Sequence, residues 1–163
     1  MKHQASKDLK RYNYLFGETG MAYHEMNVRL GLSDSTSSVL YAIWEQGDRR
    51  LLKEICRFSG LSKQTINSAI RKLEKAGIVY LEMADKKNKM VCLTESGKAL
   101  AEKTAGRILA AEDEIFASWP REDVQNYFAL TEAFLVALQK KVAAMPPAES
   151  AGSDATIQTE GSE

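Results

Sequence analysis

Between Ser62 and Lys72 the sequence sets amides and hydroxyls among cations: Ser62, Lys63, Gln64, Thr65, Asn67, Ser68, Arg71 and Lys72. A side-chain amide offers a donor and an acceptor side by side, which matches the major-groove edge of adenine, whereas ammonium and guanidinium groups suit phosphate oxygens. Gln64 and Asn67 are therefore expected at base edges, and Arg71 and Lys72 at phosphates. A second cationic group, Lys86, Lys87 and Lys89, follows in a short polar stretch. The chemistry such residues perform is recognition of a polyanion rather than bond making. Each alone suits a solvated face equally well, so their order along the chain carries the reading.

Other chemistries find little support. The sequence has no phosphate-cradling Gly-rich loop and no nucleophile elbow, and His24 has no readable nucleophile partner, so no enzymatic activity is expected. His3 and His24 are the only histidines, too few to suggest a metal site, and no cofactor is expected. Cys56 and Cys92 are neither a CxxC pair nor a disulfide framework, and each lies in an apolar run where packing is the expected role.

Formal net charge is zero, from 22 basic and 22 acidic residues, yet the charges are segregated. From Arg50 to Lys98 there are eleven Lys/Arg against five Asp/Glu, so the flanks are correspondingly acidic. A basic middle on neutral or acidic scaffolding fits a phosphate-binding module. No apolar run reaches the roughly 20 residues a bilayer span needs, and the amino-terminal residues have no signal-like apolar core. A cytoplasmic protein without membrane attachment is the expectation.

These residues need elements to hold them. Leu9, Tyr12, Phe16, Tyr23, Met26 and Leu30 recur at helical spacing and predict a long first helix, weakened at Gly17 and Gly20. Ser33 and Asp34 suit the cap of a second helix burying Val39, Leu40, Ile43 and Trp44. A short helix over residues 52–58 then leads through Ser59-Gly60-Leu61 into another capped by Ser62, with Ile66, Ala69, Ile70 and Leu73 inward and Gly77 at its end. Two β-prone runs, 78–81 and 90–93, joined by Asp85-Lys86-Lys87-Asn88-Lys89, predict a two-stranded hairpin. Thr94 is placed to cap a helix running to the break at Trp119-Pro120, and a last helix spans about residues 121–144. The predicted fold class is mainly α with a small two-stranded antiparallel β wing.

Two short helices joined by a tight Gly-containing turn form a helix-turn-helix, and the cationic hairpin after it forms a wing. The chain resembles the MarR family of bacterial transcriptional regulators through residues 60–67, Leu73-Glu74-Lys75-Ala76-Gly77-Ile78-Val79 and Leu93-Thr94-Glu95-Ser96-Gly97, and through its element order. It departs from the family at the wing, which has Asp85-Lys86-Lys87 where an Asp-Arg-Arg element is usual, and at Trp119, where a capping Ser or Thr is common.

The resemblance implies a winged helix-turn-helix with N- and C-terminal dimerisation helices: residues 1–32 and 99–145 for association, 33–98 for DNA, and 146–163 as a disordered tail. It implies a homodimer on double-stranded DNA with a pseudo-palindromic operator, repression as the default, and a small-molecule effector. Tyr12, Tyr14, Tyr23, His24 and Trp44 are the candidates for lining an effector pocket. The rival reading is a winged-helix module for protein association without specific DNA binding.

Overall fold

The computed structural model describes residues 4–146, so the carboxy-terminal tail beyond Pro146 lies outside the described residues. The elements are α1 (Lys7–Arg29), α2 (Asp34–Trp44), β1 (Arg49–Leu51), α3 (Leu52–Ser59), α4 (Lys63–Lys75), β2 (Val79–Met83), β3 (Lys89–Leu93), α5 (Glu95–Lys103), α6 (Ala105–Ser118) and α7 (Arg121–Ala144). They fall into two compact units, one through Phe116 and one from Ala117 onward.

In the first unit the caps follow from residue chemistry. Ser6, Ser33, Ser62 and Thr94 each accept a bond from the backbone N–H three residues on, satisfying a donor that the helix leaves orphaned. At the far end of α4, Gly77 takes a positive φ of 70°. The Gly77 N–H then bonds the Glu74 carbonyl at 3.0 Å and the Ile78 N–H bonds the Leu73 carbonyl at 2.9 Å, a Schellman closure. The core gathers Leu40 and Ile43 of α2, Ile55 of α3, Ile66 and Leu73 of α4, and Val79, Val91 and Leu93 of the sheet. Burying each large aliphatic side chain contributes about 1.5 to 3 kcal/mol.

The sheet has three strands rather than the two expected, in the antiparallel order β1-β3-β2. Arg49, Arg50 and Leu51 pair with Cys92, Val91 and Met90 respectively, while β2 runs from Val79 opposite Leu93 to Met83 opposite Lys89. A three-residue strand containing two arginines carries no readable alternation. Arg50 is nonetheless fixed: one guanidinium nitrogen bonds the Ala42 carbonyl and a Glu45 carboxylate oxygen, both at 2.8 Å. Its Cζ lies 4.9 Å from the centre of the Phe58 ring, a cation–π contact.

The helix expected from Thr94 to Trp119 is also broken, at Thr104, between α5 and α6. The buried Thr104 has φ −122° and ψ −82°, and its hydroxyl donates to the Leu100 carbonyl at 2.7 Å. Such back-bonding bends helices. Beyond the break, Gly106 passes so close to Trp44 that a Cβ there would lie 3.1 Å from the indole nitrogen. Gly97 is more tightly held, since a Cβ there would lie 2.0 Å from the Ile78 carbonyl oxygen. The start of α5 thus packs directly on the backbone that enters the wing. Thr94 reinforces this, donating its hydroxyl to the Gly77 carbonyl at 2.6 Å.

In the second unit, α7 begins after Pro120 without a side-chain cap, and Trp119 packs edge-on to Tyr127 at 5.5 Å. None of the residues of α7 is buried in the single chain. Leu130, Leu135, Leu138 and Val142 are all exposed. Within the first unit, α1 likewise leaves Leu9, Leu15, Phe16 and Met21 exposed.

Candidate nucleic-acid interface

The helix-turn-helix is held by its turn. Gly60 has φ 63°, closing α3 in a left-handed conformation that costs a glycine nothing. The Ser59 hydroxyl accepts from the Leu61 N–H at 3.2 Å and donates to the Cys56 carbonyl at 3.1 Å. Ser62 then caps α4, accepting from the Thr65 N–H at 3.1 Å, with the two hydroxyls 2.7 Å apart. Ser62 and Thr65, both expected at the interface, are therefore joined to each other as the cap. The first turn of α4 contains no acidic residue, so the positive end of the helix dipole is not offset by a carboxylate there.

Ile66, Ala69, Ile70 and Leu73 are buried, as the periodicity requires. On the other side Lys63, Gln64, Ser68, Arg71 and Lys72 are exposed and Asn67 is half-buried. The expected residues divide into two strips. Lys63, Asn67 and Arg71, four residues apart, line a groove of about 620 Å³ together with Lys87 and Lys89 of the wing. Gln64, Ser68, Lys72 and Lys86 lie outside that groove's lining. Sequence reasoning missed Lys53 of α3, which lines the groove too. Its signal was a cation at an exposed position of the first helix of the pair. Glu74 is the carboxylate in this lining.

The wing tip is ordered by its own side chains. The Asp85 carboxylate accepts from the backbone N–H groups of Lys87 and Asn88 at 2.8 and 2.9 Å, and from the Asn88 amide at 2.6 Å. Those bonds, the Asn88 amide first, hold the Asp85 carboxyl below the usual aspartate range. The effect is a fixed turn that displays Lys86 and Lys87 in the exposed loop, with Lys89 exposed at the start of β3.

The cations of α4 and the wing take no part in the ion pairs among the described residues. Among the described residues, Arg29, Arg49, Arg50 and Lys98 pair with carboxylates. Lys63, Arg71, Lys72, Lys86, Lys87 and Lys89 appear in none of the described ion pairs. Their charge is available to an outside anion.

A second concavity lies on the other side of the turn, about 370 Å³ in volume. Tyr23, His24 and Asn27 of α1, Tyr41 of α2, Phe58 and Leu61 at the turn, and Glu112 of α6 contribute to its walls. Tyr23 and Tyr41 each donate a hydroxyl hydrogen bond to the Glu112 carboxylate. Burial and that carboxylate push the Tyr41 phenol well above its ordinary range. Tyr41 stacks on Phe58 with ring centres 5.6 Å apart. Of the residues expected here from sequence, Tyr23 and His24 line the cavity, whereas Tyr12, Tyr14 and Trp44 do not. Tyr41, Phe58 and Glu112 were missed because they come together only through tertiary packing. No group of three or more His, Cys, Asp or Glu residues among those described is arranged to hold a metal ion.

A capped helix set at a tight turn, flanked by a cationic β-hairpin on a three-stranded sheet, defines a winged helix-turn-helix protein. Residues 30–88 match the sequence model of the MarR family. The chain is 31% identical over 106 residues to YwoH, an uncharacterized HTH-type transcriptional regulator of Bacillus subtilis (strain 168), spanning 64% of this chain and 77% of that protein. Its fold is similar to that of NMB1585, a MarR family regulator from Neisseria meningitidis, with a TM-score of 0.74, 21% identity, and coverage of 85% of this chain and 98% of that one. It is also similar in fold to Sco3205, a MarR family regulator from Streptomyces coelicolor solved in complex with DNA, with a TM-score of 0.63, 18% identity, and coverage of 85% and 92%. The chain belongs to the MarR family of transcriptional regulators. No described helix is long and apolar enough to cross a membrane.

Proposed function

We propose that the chain works as a homodimer on a pseudo-palindromic DNA operator and represses transcription from it, with a small-molecule effector in the cavity beside the turn. The observation that carries the reading is the set of cations on α4 and the wing without ion-pair partners, bordering one groove. In this reading α4 enters the major groove, Gln64 and Asn67 meet base edges, and Lys63, Ser68, Arg71 and Lys72 hold phosphate and neighbouring edges. The wing lysines Lys86, Lys87 and Lys89 follow the backbone, Lys53 adds a contact from α3, and Ser62 and Thr65 set the depth of the helix end.

A second copy of this chain is the proposed cover for the apolar faces of α1 and α7. Leu135, Leu138 and Val142 stand at helical spacing and are each about half exposed or more in the single chain (51%, 49% and 61%). Regular apolar exposure of this kind marks an association surface. Two copies place two recognition helices one duplex turn apart.

The test is to select bound fragments from the source genome and footprint them. Paired half-sites about 10 base pairs apart, centre to centre, are expected. Footprints without two-fold symmetry, or no enriched fragments, would contradict the proposal.

A further inference from the structure

The cavity beside the helix-turn-helix turn has an unusual balance of donors and acceptors. Its carboxylates are Glu112 and Asp34, with His24 beside them, and its lining contains no lysine or arginine. Of the donors in its walls, the Tyr23 and Tyr41 hydroxyls are committed to Glu112, and His24 Nδ1 and Asn27 Nδ2 to Asp34, while the Ser37 and Ser38 hydroxyls also line it. The acceptors are not used up. Asn27 is only 7% exposed, and because its amide nitrogen faces Asp34 at 2.9 Å, its Oδ1 is left buried without a donor. That oxygen has almost no accessible surface to offer an occupant, so the acceptor open to a ligand is the Glu112 carboxylate, whose oxygens have lone pairs beyond the tyrosine bond each accepts. The remaining walls combine Ser37, Ser38 and Ser59 with apolar and aromatic side chains, including Phe58, Leu61 and Ile108.

We infer that the cavity selects an organic cation: an apolar, aromatic body bearing a protonated amine that meets Glu112, rather than an aromatic carboxylate. This rests on the reading that the cavity takes a small-molecule effector, and it names the ligand's chemistry. The volume of about 370 Å³ lies within the range of small-molecule pockets, roughly 300 to 1,000 Å³. An ammonium group at Glu112 gains a charge-assisted hydrogen bond, and an aromatic body finds the stacked Tyr41–Phe58 pair beside it. A carboxylate in the same place faces two carboxylates with only a histidine to offset them. Because Phe58, Ser59 and Leu61 immediately precede the Ser62 cap, an occupant touches the segment that aims α4.

The experiment compares tryptamine with indole-3-propionate, which share a ring system and differ in the sign of the terminal charge. Calorimetric titration of the full chain at neutral pH should show one tryptamine per subunit, bound at least about tenfold more tightly than indole-3-propionate. Glu112→Gln should reduce tryptamine affinity by about tenfold or more while leaving the circular dichroism spectrum unchanged. If that variant misfolds, the wild-type comparison of the two indoles still decides. Preference for indole-3-propionate, or tryptamine binding unaltered in Glu112→Gln, would overturn the charge assignment and leave a ligand-binding cavity standing. Binding of neither compound would overturn the inference together with the effector reading. Operator binding, measured on the same samples, is unaffected by either failure.

Discussion

Two concavities of the first unit share α3 in their walls and carry opposite charge. The groove between α4 and the wing is lined by Lys53, Lys63, Arg71, Lys87 and Lys89 with Glu74 as its carboxylate. The cavity between α1, α2 and α6 is lined by Glu112 and Asp34 with His24 as the group that can become cationic. A net charge of zero over the whole sequence thus conceals two local imbalances of opposite sign. The lesson is that partner chemistry follows the charge that is left unpaired at one place. Arg50 and Lys98 lie within the basic half of the sequence, yet both are tied to carboxylates, Arg50 to Glu45 at 2.8 Å and Lys98 to Glu95 at 3.0 Å.

The largest expected effect comes from removing what both concavities lean on. Ile66 is fully buried on the inner face of α4, and Ile66→Ala should destabilise the fold by about 2 to 5 kcal/mol in chemical denaturation. A loss below about 1 kcal/mol would mean that α4 is not seated on this core. Next come the base-edge candidates: Gln64→Ala or Asn67→Ala should cost about 1 to 3 kcal/mol of discrimination between operator and random DNA. Equal losses on both DNAs would move those residues to the phosphate set.

Much of the fold is legible in the sequence, for local reasons. The caps at Ser33, Ser62 and Thr94, the left-handed turn at Gly60 and the buried face of α4 follow from residue type and period, and the structure reproduces each. What escaped was non-local. β1 owes its existence to pairing with β3, and three residues with two arginines give no signal of their own. The break at Thr104, with its hydroxyl bonded back to the Leu100 carbonyl, lies beside a close approach of Gly106 to Trp44 of a distant helix. The cavity draws Tyr23, Tyr41 and Glu112 from three separate helices, and aromatic content alone also pointed to Tyr12, Tyr14 and Trp44, which do not line it.

Smaller effects sharpen the contrast between the two concavities. Arg71→Ala or Lys87→Ala should weaken binding to every sequence and flatten the salt dependence by about 0.9 for each phosphate no longer neutralised. Disrupting the wing turn should do less. Asp85 is held below its ordinary range, so its ordering bonds are present at pH above that range and disappear as pH falls through its lowered value. Asp85→Ala should therefore speed hydrogen exchange at the Lys87 and Asn88 amides at neutral pH and reduce DNA affinity by a few-fold. Wild-type protein should approach the same exchange rates, after correction for intrinsic pH dependence, only in strong acid. Unchanged exchange in the variant would show that the strands alone order the tip.

The most direct test of the central claim is the salt dependence of binding to the selected operator. If the unpaired cations of two α4 helices and two wings neutralise phosphates, six or more such pairings give a slope of log affinity against log salt steeper than about −5. A slope near zero, with affinity retained at high salt, would contradict it.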